Sequence, residues 1–193
     1  MIEAYLALLT FILFMVATPG PANLLMMIGG AQQGVPACMG FVLGLVCGKV
    51  CLNLVFGLGF GLFFADQTLL VNGLKFVSAG YIIWLALQSW NDRAAVGAAQ
   101  NSFNFRHGVI VHPLNPKAWV MVILAWSHFA PALGTLEMQL VLVTAGFAVI
   151  QFVFHTMWCL GGALFQRALP RSRWVTRSMI LMTVAIVIWA LFF

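Results

Sequence analysis

Residues 4–28 read AYLALLTFILFMVATPGPANLLMMI, an apolar run without a charge, interrupted past its middle by Thr18-Pro19-Gly20-Pro21. A hydrocarbon core of roughly 30 Å asks for about 20 helical residues, so the run is long enough to cross a bilayer. Each proline lacks an N–H and clashes with the carbonyl four residues back, which frees the carbonyls of Met15 and Ala17. Bare carbonyls at membrane depth are tolerated only where they face protein or a water-filled cavity. The stretch therefore reads as a membrane helix broken at a site. With Glu3 in place of a basic leader and no small-x-small cleavage signal, it is expected to stay in the mature chain.

The rest of the chain has the same character. Of 193 residues, 63% are hydrophobic and 7% charged, whereas soluble domains run near half apolar and a quarter charged. Six apolar segments stand out, at Ala4–Ile28, Ala37–Phe64, Thr68–Trp90, Val109–Ala130, Met138–Phe165 and Trp174–Phe193. They predict an all-α polytopic membrane protein of one transporter domain, residues 1–193, with connections at 29–36, 65–67, 91–108, 131–137 and 166–173. The net charge of +5 does not call for nucleic acid, because the basic residues are spread along apolar sequence as topology signals. Arg93, Arg106, Arg167, Arg171 and Arg173 fall in the third and fifth connections, on one side, with Arg177 just beyond. By the positive-inside rule that side is cytoplasmic and both termini lie outside, in a multi-pass protein of the cell's inner membrane.

The polar stretch 91–108 leaves three segments on either side, in halves of about 1–90 and 109–193. Three is odd, so the halves enter the membrane in opposite senses, the plan of an inverted repeat. The first segment of the second half is broken as well, at His112-Pro113-Leu114-Asn115-Pro116-Lys117, freeing the carbonyls of Val109 and His112. Matched breaks in the two halves point to a transport site built from half-helix ends, with structural kinks as the bland alternative. The expected substrate contacts are Pro19, Gly20, Pro21 and Asn23 in one break and Asn115, Pro116 and Lys117 in the other.

Thr18-Pro19-Gly20-Pro21-Ala22-Asn23-Leu24 resembles the first-helix motif of the LysE/RhtB amino-acid exporter family. Leu114-Asn115-Pro116-Lys117-Ala118 resembles its fourth-helix motif, and Leu74-Lys75, Gly80-Tyr81 and Trp84-Leu85 resemble its third-helix pattern. The resemblance implies six helices and export of amino acids or close derivatives, driven by the proton-motive force.

Several other residues compete for roles. Lys49 lies near the centre of the second segment, where a charge is costly, so it faces the interior and either binds a substrate carboxylate or holds a freed carbonyl. Lys75 lies nearer a helix end and snorkels. His155, one turn from Gln151, and His112 are the groups that titrate near neutrality at membrane depth, hence candidates for proton coupling. Gly40, Gly44 and Gly48 share a helix face suited to close packing, with the broken first helix the expected neighbour. Cys38, Cys47, Cys51 and Cys159 lack metal or redox spacing and read as packing residues, so no metal or cofactor is expected. Neither a P-loop nor a nucleophile with its base is visible, which argues against an enzyme. A scaffold subunit without transport remains the rival, and a homo-oligomer is left open. The absence of a buried carboxylate speaks against lysine or arginine as cargo.

Overall fold

The first helix, α1 (Ile2–Ala17), stops at Thr18, whose backbone is extended (φ −67°, ψ 143°), as a residue preceding proline must be. The next helix, α2 (Pro21–Val55), opens on Pro21, where the missing N–H costs nothing because the first helical N–H groups have no partner in any case. The computed structural model describes residues 1–60, 68–88, 90, 103–168 and 173–192, all helices and short connections. The remaining elements are α3 (Thr68–Gln88), α4 (Phe105–Val111), α5 (Pro116–Leu124), α6 (Leu136–Ala168) and α7 (Arg173–Phe192).

The expected turn at 29–36 is present but tight: the helical backbone breaks at Gly34 (φ 75°, ψ 169°), a positive φ that glycine adopts without penalty, and Pro36 follows two residues on. A Cβ on Gly29 would stand 2.8 Å from Cys38 Sγ, so the arm from Pro21 to Gln33 folds back against the second apolar segment instead of continuing it. Likewise the polar stretch expected to reach residue 108 ends earlier, because Asn104 caps α4 by accepting from His107 N at 3.2 Å. The fifth connection also begins later than expected, since α6 continues to Ala168. The expected turn at 131–137 is present: a short 3-10 helix, Ala130–Leu133, is followed by Gly134 at φ 105°. Connections at 65–67 and 91–102, Arg93, Arg171 and the side chain of Lys75 lie outside the described residues.

Among the described residues two helical stretches, Pro21–Gly59, which contains the break at Gly34, and Leu136–Ala168, are long and apolar enough to cross a membrane. The pair Phe105–Val111 and Pro116–Leu133, bent by 59° at the second proline break, makes a third if taken as one broken span. Ile2–Ala17, Phe76–Gln88 and Thr176–Trp189 are shorter apolar helices.

Glycines set how these helices pack. Met27 and Gly30 of α2 face Cys159 and Gly162 of α6 reciprocally: a Cβ on Gly30 would land on the Cys159 carbonyl, and one on Gly162 on the Met27 carbonyl. Small residues allow such backbone approach between membrane helices. Gly44 and Gly48 lie against Phe105, Gly108 and Val109, so the glycine face of α2 meets α4 and not the first helix, as had been expected. One core cluster, with Phe41, Ile82 and Ile180, joins α2, α3 and α7. A second, with Leu8, Ile12 and Phe147, joins α1 to α6.

Candidate functional site

The two proline breaks come together. At the first, Thr18 turns its hydroxyl back to Met15 O (2.9 Å), one of the carbonyls that Pro19 frees. Asn23 Nδ2 donates to Val16 O at 2.8 Å and to Thr18 O at 2.9 Å, sewing the start of α2 onto the end of α1. At the second break, Asn115 caps α5 by accepting from Lys117 N at 3.1 Å, and Trp119 Nε1 donates to Pro113 O at 2.7 Å. Lys117 then crosses between them, donating to Thr18 O (3.0 Å) and Thr18 Oγ1 (2.8 Å). Its aliphatic chain runs over Gly20, where a Cβ would stand 3.1 Å from Lys117 Cδ.

Behind this contact lies a chain of three buried polar side chains. Asn23 Oδ1 is 3.1 Å from His155 Nδ1, and His155 Nε2 is 3.3 Å from His112 Nε2. Both amide hydrogens of Asn23 are committed to carbonyls, so its Oδ1 can only accept and His155 Nδ1 must donate. A neutral His155 then presents a bare Nε2, which accepts from His112 Nε2–H. His112 Nδ1 is left with a lone pair and, among the described residues, has no partner, and Gln151 Oε1 is a second buried acceptor without one there.

A cavity of about 20 Å³ is lined by the polar side chains of Asn23, His112, Asn115, Lys117, Gln151 and His155. That is room for a water molecule or an ammonium group, not for a whole amino acid. Among the described residues no carboxylate lines it.

Of the expected site residues, Gly20, Asn23, Asn115, Lys117, His112 and His155 thus meet at one place. Pro19 is exposed, Pro21 buried and Pro116 half-buried, and they shape backbone without lining the cavity. Lys49 stands apart from it. Fully buried, it donates to Ala118 O at 2.9 Å with Nζ 4.3 Å from the centre of the Phe147 ring, a cation–π contact that compensates lost hydration. The carbonyl it holds lies inside α5 and is not one of the four that the prolines free. Asn53 binds Lys49 O at 3.0 Å and receives Trp126 Nε1 at 3.2 Å, extending the network toward the other end of α2. Two participants were missed in the sequence. Thr18 stands in the sequence only as part of the break motif and Gln151 only as a neighbour of His155, whose position one turn away on the same helix face is the signal it offers.

The family model for LysE type translocators matches residues 13–193, covering both breaks and every helix from the end of α1 onward. The chain belongs to the LysE type translocator family. An uncharacterized membrane protein of Vibrio cholerae serotype O1 is 30% identical over 135 residues, 66% of this chain and 65% of that protein. The chain thus spans just under two thirds of the length of that relative. No solved structure matches. Within this LysE type translocator, the two motifs that carry the resemblance, Thr18 to Leu24 and Leu114 to Ala118, are the two segments joined by the Lys117–Thr18 contact.

Proposed function

We propose that this translocator exports amino acids or close derivatives from the cytoplasm across the inner membrane, exchanging them for protons at the meeting point of the two broken helices. The observation that carries the reading is the contact of Lys117 with Thr18, backed by the Asn23–His155–His112 chain. A cationic donor and helix-terminal N–H groups suit a carboxylate. Neutral acceptors suit an ammonium, and histidines suit a transferable proton. With no carboxylate among the described residues of its lining, the site favours zwitterions over lysine or arginine. Loading a whole amino acid requires more than the present volume, so the Lys117–Thr18 contact has to open, which makes it a gate as well as a ligand.

The test is export from liposomes containing the purified protein alone, over a panel of amino acids, with and without a pH gradient. Wild type should export when the gradient is imposed. His155→Gln and His112→Gln should lose the gradient-driven component more than substrate exchange. Full gradient-driven export by the double variant would remove the histidines from coupling.

The same reading assigns six crossings in two inverted halves, with both termini outside. The described part of the basic set, Arg106 and Arg167, is exposed at helix ends, as topology signals should be. A reporter fused after Phe193 should be active only in its periplasmic form, and activity of a cytoplasmic reporter there would overturn the six-crossing arrangement.

A further inference from the structure

Buried acceptors without donors are rare, because each forfeits its hydration without compensation. Here two such atoms, His112 Nδ1 and Gln151 Oε1, belong to residues 3% and 1% exposed that line the same small cavity. The hydrogen-bond chain forces the first of them to be a bare lone pair, because Asn23 dictates the tautomer of His155 and His155 that of His112. Among the described residues no side chain supplies either atom with a donor.

We propose that His112 Nδ1 and Gln151 Oε1 form one acceptor slot, filled in turn by a proton on His112 and by the ammonium group of the exported amino acid. This rests on the exporter reading above. When His112 takes a proton at Nδ1, that acceptor is occupied while Nε2–H continues to donate to His155. The slot is then blocked, and the imidazolium repels an ammonium. When the proton leaves to water on the cytoplasmic side, both acceptors are bare again and the ammonium of a zwitterion can donate to them, its carboxylate directed to Lys117. Proton and substrate thus exclude each other at one pair of atoms, one proton entering for each zwitterion that leaves. The groups facing His112 sharpen the exclusion. His155 of α6 lies 3.3 Å away, Lys117 of α5 lines the same cavity, Lys49 of α2 is held at Ala118 O outside it, and among the described residues no carboxylate lines it. Gln151 is accordingly a specificity-determining residue, supplying a neutral carbonyl where an exporter of dibasic amino acids would need negative charge.

The slot is tested by exchange of radiolabelled L-alanine, L-threonine and L-leucine in proteoliposomes with equal pH on both sides. Half-saturation is measured from about pH 8 to about pH 5.5, the range in which histidines ordinarily titrate. In wild type, protons should compete, so that half-saturation rises as pH falls while the maximal rate holds. His112→Asn keeps an acceptor near the position of Nδ1 but cannot take the proton, and its half-saturation should be flat across the range. Gln151→Met should raise half-saturation about tenfold at the upper pH, the scale of one hydrogen bond to a charged group, with Gln151→Glu restoring tight binding. Retention of the wild-type pH dependence by His112→Asn, or of wild-type half-saturation by Gln151→Met, would overturn the slot while leaving export intact. If wild type exchanges none of the three amino acids at any pH, the exporter reading fails and the slot falls with it.

Discussion

Gly30→Val and Gly162→Val should each abolish recovery of folded protein, whereas Gly161→Val, one position away, should be recovered like wild type. A side chain at residue 30 would collide with the Cys159 carbonyl and one at residue 162 with the Met27 carbonyl, backbone in both cases, so no rotamer change relieves the clash. Gly161 has nothing within 4 Å of its added Cβ. Overpacking a flexible core costs about 1–3 kcal/mol, and a rigid backbone contact exceeds that range. The damage would reach the site. Asn23 lies on the α2 arm that carries Gly30, and His155 on the α6 stretch that carries Cys159, so forcing the arms apart lengthens the 3.1 Å bond between them. The yield of monodisperse protein on size exclusion after detergent extraction measures the effect. Wild-type yield from Gly30→Val would show that the two helices do not approach as closely as described.

This pair of glycines marks a boundary of what the sequence reveals. Apolar segments and proline breaks are legible because hydrocarbon leaves the backbone no outside partner, so length and interruption are forced into composition. The breaks at Thr18 to Pro21 and Pro113 to Pro116 appear where expected, and the interior placement of Lys49 follows from the cost of a charge at membrane depth. The Gly/Pro punctuation of Gly29, Gly30, Gly34 and Pro36 is likewise borne out by the break at Gly34, but the turn is shorter than the stretch expected, because Gly29 and Gly30 lie in helix and serve close contact. The glycine face of Gly44 and Gly48 announced a close neighbour without naming it, and Gly108, the matching small residue on α4, was the clue left unused. The histidine pair had no local signal at all. His112 and His155 are 43 positions apart, and only the packing of the second broken span against α6 brings their rings together. The carbonyls left bare by the prolines were countable from sequence. Which side chain would cover them was not, because Asn23 reaches back past the break to Val16 and Thr18, two carbonyls other than those freed by Pro19 and Pro21.

The two asparagines look equivalent in sequence, each inside a proline break, but Asn23→Ala should be far more damaging than Asn115→Ala. Asn115 makes one side-chain bond, the cap to Lys117 N at 3.1 Å, and loss of an N-cap costs about 1 kcal/mol. That variant should insert and remain folded, with exchange reduced because Lys117 is less firmly placed. Asn23 is 4% exposed and uses its whole amide, donating to two carbonyls and accepting from His155. Truncating it leaves Val16 O bare at the end of α1, while Thr18 O keeps Lys117. An unsatisfied buried polar group costs about 1–3 kcal/mol, and here both Val16 O and His155 Nδ1–H are stranded, so a loss of about 2–5 kcal/mol follows. A functional loss comes on top of it. Without Oδ1 to accept from Nδ1, nothing holds His155 in the tautomer that orders the His112 ring, and the bare lone pair at His112 Nδ1 is no longer enforced. Asn23→Asp separates the two effects, since a carboxylate still accepts from His155 but has no hydrogen to give Val16 O or Thr18 O. Melting in detergent should therefore rank wild type, then Asn115→Ala, then the two Asn23 variants well below. The pH dependence of exchange should survive longer in Asn23→Asp than in Asn23→Ala. Equal melting of Asn23→Ala and Asn115→Ala would mean that the amide of Asn23 does not tie α1 to α2, and that the first break is held by Lys117 and Thr18 alone.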